Sequence, residues 1–142
     1  MIVASIIGSF RKYYNIVKEV ISVFEKNGIT ILSPKFSNII DLNVEFVLFE
    51  TDDPNLNEVE IELIALHRIL RSDFVYVCNP NGYIGRTTCY EIGRIAERRM
   101  PLFFMEKPRD LPIYLISNCI YSPEELITYW GKSNVAASRD IP

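Results

Sequence analysis

The stretch FVYVCNPNGYIGRTTCYEIGRIAERRMPLFFM, residues 74–105, changes character three times. FVYVC (74–78) is an unbroken run of β-branched, aromatic and small apolar residues, the pattern of a strand buried on both faces. Asn79 to Gly85 is punctuated by proline and glycine and reads as a loop. Residues 87–99 read as a helix, and Leu102–Met105 is a second apolar strand. Strand, loop, helix and strand in this order make a parallel crossover unit.

The same alternation extends outward. IVASII (2–7) reads as a buried strand ending at Gly8-Ser9. Tyr13, Ile16, Val17, Val20, Ile21 and Phe24 then recur at the helical period, placing a helix over 12–27 that Gly28 ends in the left-handed region. Ile29–Leu32 is a strand closed by Ser33-Pro34. Residues 35–44 read as irregular, 45–49 as a strand and TDDPN (51–55) as a turn. Residues 57–71 predict a helix with a broad apolar face made of Ile61, Leu63, Ile64, Ala65, Leu66 and Leu70. A last short strand is expected at 118–121. In SPEEL, Ser122 as N-cap, Pro123 and Glu125 form the signature of a capped helix. The reading is an α/β fold: one doubly wound, mostly parallel sheet of the Rossmann or flavodoxin-like kind, with helices on both faces. The domain spans 1–130, followed by a polar tail at 131–142 that is expected to be loose or docked on a partner subunit.

A chain of 142 residues with 49% hydrophobic and 23% charged residues is that of one globular domain. Its net charge of −3 argues against polymeric nucleic acid as a partner. Three cysteines without metal spacing and a single histidine give no metal motif, and an intracellular, reducing compartment fits them best. No uncharged apolar segment reaches the ~18 residues that suggest a membrane span, and MIVASIIGSFRK has its charges on the wrong side for a signal peptide. The expectation is a soluble cytoplasmic protein.

In parallel sheets ligands sit beyond the carboxyl ends of the strands, where strand order reverses. Two loops lead there, Gly8–Arg11 and Asn79–Thr88, and both bring glycines and small polar residues whose backbone N–H groups can approach a ligand. They nominate Gly8, Ser9, Phe10, Arg11, Asn79, Gly82, Tyr83, Gly85, Thr87 and Thr88 as substrate-binding. Glu91 stands near the start of the helix that follows. Its ordinary explanation is a first-turn carboxylate stabilised by the helix dipole and paired with Arg94. Its alternative is a reactive group at the mouth of a pocket. Arg94, Arg98 and Arg99 are either a solvated basic face or a small-anion site.

GSFR after the first strand, SDFVYVCNPNGYIG, and YEIGRIAERRMPLFF together resemble the nucleoside 2-deoxyribosyltransferase-like superfamily, over about residues 1–110. The most specific piece is Glu91-Ile92-Gly93-Arg94-Ile95-Ala96 between a glycine-rich loop and an apolar strand. The resemblance implies cleavage or transfer of the N-glycosidic bond of a nucleoside or nucleoside 5′-monophosphate, with Glu91 as the carboxylate nucleophile at C1′. By the same likeness Ser9 and Arg11 hold a 5′-phosphate, although an N-cap serine and an exposed arginine would read the same. Thr87 and Thr88 would hold sugar hydroxyls or phosphate, and Gly93 would allow close packing of helix on strand. No metal or organic cofactor is implied; the partner is a small-molecule nucleoside or nucleotide, in a homo-oligomer. ITYW (127–130) is a candidate subunit contact or a piece of core.

The chain departs from the family in several places. Ala4-Ser5-Ile6-Ile7 lacks the tyrosine common near the end of the first strand. The position of the family's second acid, eight residues before Asp73, is Ala65, with Glu62 and His67 nearby. Gly85 stands where transferases tend to carry an acid. These departures motivate the alternative reading, a nucleotide-binding or sensor domain that has lost the chemistry. Asp73 falls at the wrong end of the sheet for catalysis.

Overall fold

The computed structural model describes residues 1–35, 55–109, 111 and 119–130. Its elements are β1 (Ile2–Gly8), α1 (Phe10–Lys26), β2 (Ile29–Ser33), α2 (Glu58–Ile69), β3 (Phe74–Cys78), α3 (Arg86–Glu97) and β4 (Leu102–Phe104), with a 3-10 turn at Pro80–Gly82. Residues 123–130 form a further helix, α4. The four strands make one sheet in the order β2-β1-β3-β4, every pair parallel. A parallel bridge from Phe104 to Ile120 adds a minimal fifth position beside β4, where the sequence predicts a last strand. The strand expected at 45–49, most of the turn at 51–55 and the tail at 131–142 lie outside the described residues.

Alternation along the central strands sends successive side chains to opposite faces. Ala4 and Ile6 of β1, with Phe74 and Tyr76 of β3, meet Val17, Val20, Ile21 and Phe24 of α1 and Leu126 of α4. Ile7, Val75 and Val77 point the other way, onto Ile69 of α2 and Ile92 and Ile95 of α3. The helices therefore cover both faces, as the near-continuous apolar strands require. In the first core the Phe24 ring meets Tyr76 edge-on at 5.3 Å and Phe74 at 5.9 Å.

The helix ends follow local chemistry. Glu60 N–H donates to Asn57 Oδ1 at 2.9 Å while Asn57 N–H donates to Glu60 Oε1 at 3.5 Å, so a capping box fixes the start of α2. The predicted box at α4 is also formed, with Glu125 N–H donating to Ser122 Oγ at 3.2 Å and Ser122 N–H to Glu125 Oε1 at 3.3 Å. Gly28 takes φ +80° just beyond α1, as its position predicts. Asp73 accepts the Val3 N–H at 2.8 Å and clips β1 to β3 at the end of the sheet away from the loops.

Two sequence expectations change. The broad apolar face of α2 is only partly covered: Ile61, Leu66 and Ile69 are buried, whereas Leu63 and Ile64 are 47% and 42% exposed. A helix lying on a sheet buries one stripe, and these apolar residues extend beyond it. Gly93 does not mediate close packing, since it is exposed and a Cβ there would meet nothing within 4 Å. At the end of α4, read as either a subunit contact or a piece of core, Trp130 packs against the first core while Tyr129 stays 42% exposed. Trp130 lies 4.7 Å from the Phe74 ring and Tyr129 stacks on Tyr121 at 5.2 Å.

Phe24→Ala should therefore destabilise the chain by about 3–5 kcal/mol, whereas Leu63→Lys should change stability by less than about 0.5 kcal/mol. Urea unfolding of the two variants checks both, and a costly Leu63→Lys would show that α2 buries the wider face.

Candidate active site

The reversal of strand order falls between β1 and β3, and the chain leaves them on opposite sides of the sheet, into α1 and α3. A cavity of about 700 Å³ opens there. Gly8, Ser9, Phe10 and Arg11 line it from the first loop, and Tyr83, Gly85, Thr87, Thr88 and Glu91 from the second loop and α3. Helix α2 supplies a third wall that includes Ile61, Glu62, Ala65 and Arg68.

Asn79 and Gly82, expected among the binding residues, are not in the lining. Asn79 is fully buried and works on the backbone: its Nδ2 donates to the Glu106 carbonyl at 2.8 Å, and its Oδ1 accepts the Glu106 N–H at 3.0 Å. Gly82 has φ +76°, and a Cβ there would fall 2.5 Å from the Lys107 carbonyl oxygen. Together they hold the second loop against the chain after β4. Gly8, at φ +154°, would place a Cβ 2.5 Å from the Cys78 carbonyl oxygen, so the two loops start in direct backbone contact.

Glu91 does not sit where the ordinary explanation requires. Gly85 is the N-cap of α3, the first turn carries no acid, and Glu91 is in the second turn. Arg94 donates to the Tyr90 hydroxyl at 2.7 Å instead of pairing with Glu91. Neither Arg94, Arg98 nor Arg99 lines the cavity. Glu91 is only 7% exposed, and its side chain hydrogen-bonds that of Glu62 from α2. Burial, and then the neighbouring Glu62 charge, hold the Glu91 carboxyl well above the usual carboxylate range. Burial also raises Glu62, while the bond from Glu91 favours its ionised form. Both carboxyl groups are therefore biased toward the protonated form, each by burial and Glu91 also by the charge of its neighbour. Glu62 Oε1 is buried and, among the described residues, has no hydrogen-bond partner.

Other polar groups complete the wall. Ser9 occupies the N-cap of α1 but makes no side-chain cap bond. Gly85 offers no capping side chain to α3, whose first residues Arg86, Thr87 and Thr88 line the cavity. Tyr83 is held from two sides: the Lys12 ammonium lies 3.9 Å from its ring centroid, and the Tyr13 ring meets it edge-on at 6.2 Å. Tyr83 thereby contributes an aromatic side chain to the lining from the second loop. Lys35, Arg68 and Arg86 join Arg11 in the lining. Sequence reading passed over all three, although Arg68 lies one turn from Ala65 on the same helix. His67 is exposed and outside the cavity. Among the described residues no group of three or more His, Cys, Asp or Glu gathers in a way that could hold a metal ion. The three cysteines are free, and burial pushes the Cys78 thiol up to about 12, far from a reactive thiolate.

No protein-family model matches this sequence, and no curated protein or solved structure matches it either. Among the described residues no helix is long and apolar enough to cross a membrane.

A carboxyl group whose folded value is raised retains its proton to higher pH than in the unfolded chain. Its contribution to stability is full below the ordinary value of 4.5 and is lost as pH rises through the folded value. Glu91→Gln keeps a donor toward Glu62 and has nothing to ionise. Between about pH 5 and about pH 8 its Tm should fall less than that of the wild type, and at the upper end it should lie above it. Thermal unfolding at both pH values checks this; parallel curves would mean that Glu91 is ionised in the fold.

Proposed function

We propose that this protein cleaves or transfers the N-glycosidic bond of a nucleoside or nucleoside 5′-monophosphate. The observation that carries the reading is the hydrogen-bonded Glu62–Glu91 pair in the wall of a cavity at the switch point. Between them the two carboxyl groups hold one proton and one negative charge, which is what departure of a nucleobase consumes.

In this mechanism the sugar lies over Glu91 with its 5′ end toward Ser9 and Arg11. The Thr87 and Thr88 N–H groups at the start of α3 meet hydroxyl or phosphate oxygens. The shared proton passes through Glu62 to a ring nitrogen of the base. The C1′–N bond breaks, its electron pair goes to the base, and the Glu91 carboxylate bonds to C1′. Glu62, now ionised, then takes a proton from water or from an acceptor base. The new oxygen or nitrogen bonds to C1′, the ester breaks, and Glu91 regains its carboxylate and the pair its proton. Glu62 thereby fills the role for which Ala65 has no side chain.

Chromatographic detection of free base tests this across ribo- and deoxyribonucleosides and their 5′-monophosphates, with and without an acceptor base. Glu91→Ala should lower release by about 10³-fold or more. Glu62→Gln should lower it by about 10²–10⁴-fold, and by less when the leaving base is already acidic. The wild-type rate should fall on the alkaline side, where the pair loses its proton. Saturable nucleotide binding with no release from any substrate would leave the non-catalytic sensor reading instead.

A further inference from the structure

The face that α2 turns to the cavity has an order of its own. Ala65 lies at its centre, Glu62 one turn earlier along one edge, and Arg68 one turn later along the other, flanked by the apolar Ile61 and Ile69. The six-residue step from Glu62 to Arg68 is about 9 Å of helix axis. Ala65, the smallest side chain in the stripe, stands between a carboxyl group and a guanidinium. Arg68 is half-buried, and among the described residues its side chain has neither a hydrogen-bond acceptor nor a carboxylate partner.

We infer that this face of α2 is the base-reading wall, and that Arg68 selects bases presenting two acceptors along one edge, 6-oxopurines above all. The inference rests on the glycosidic reading of the site. A guanidinium carries donors only, in a planar fork that matches the O6 and N7 pair of guanine or hypoxanthine. Adenine offers N7 beside an amino group, which sets donor against donor. Uracil offers one acceptor at this edge and cytosine an amino group. With O6 and N7 bound, N3 is left to take the proton from Glu62. The same two bonds stabilise the negative charge that develops on the departing ring as the C1′–N bond breaks.

Two separate readouts distinguish the failure of this inference from the failure of the glycosidic reading. Affinity is measured by calorimetry on Glu91→Gln, in which turnover is blocked, with inosine, guanosine and adenosine 5′-monophosphates. Base release is measured on the wild type with the same three. The oxopurine nucleotides should bind roughly tenfold to a hundredfold more tightly than adenosine monophosphate. Adding Arg68→Gln, whose amide both donates and accepts, should bring that ratio close to one, and Arg68→Lys, which keeps the charge and loses the fork, should give an intermediate ratio. Equal affinities with Arg68 present, or a ratio that Arg68→Gln leaves unchanged, would overturn the role of Arg68. A ratio that behaves as described while the wild type releases no base would overturn the glycosidic reading and leave the base selectivity standing.

Discussion

Two adjacent parallel strands, buried on both faces, govern the whole arrangement. β1 pairs with β3 from Ala4–Phe74 to Gly8–Cys78, and their inner residues are shielded from water on either side. No polar function can be placed along such strands without a partner, so the chemistry collects at their carboxyl ends. There Gly8 and Cys78 pack backbone to backbone, and the chain diverges to opposite sides of the sheet. The cleft between the two paths is the cavity. Its walls come from helices whose own positions are set by the apolar stripes of α2 and α3 on the second face.

Much of this was legible in the sequence because strands buried on both faces and amphipathic helices have different periods. FVYVC and IVASII read as interior strands, and the spacing from Tyr13 to Phe24 as a helix on one face. The Ser122–Glu125 box and the Gly28 stop are local devices, and local devices are read locally. The misjudged parts were relational. Leu63 and Ile64 are apolar, yet which arc of α2 meets the sheet depends on how the helix is rotated, and composition does not encode that. Gly93 looked like a packing glycine because its neighbours resemble a family motif, but its Cα faces water.

The site divides along the same line. Gly8 to Arg11, Tyr83, Gly85, Thr87 and Thr88 line the cavity as nominated, because loops at strand ends announce themselves through glycine and small polar residues. Asn79 and Gly82 carry the same signature for a different reason, which is to anchor the second loop to the segment after β4. Arg68 gave no signal, since a helix rich in charge shows many cations and only the fold says which one turns inward. Glu62 was visible only as one acid near an empty position. What raises it above the other acids of α2 is the approach of Glu91 from α3, a meeting between residues far apart in the chain. Burying two carboxyl groups together is costly unless they share a proton and a hydrogen bond. Their position at the cavity wall, with Glu62 Oε1 unsatisfied among the described residues, is therefore hard to attribute to stability alone.

The capping box that starts α2 has a consequence for how this protein can change over time. Asn57 and Glu60 fix where the helix begins, and every later side chain inherits its angular phase from that point. One residue inserted between Glu60 and Glu62 would turn everything downstream by about 100°. Glu62, Ala65 and Arg68 would leave the cavity together, while Leu66 and Ile69 would leave the core. The length of α2 before Glu62 is tied at once to folding and to the site, so deletions and insertions in that short span should be among the least tolerated changes in the helix.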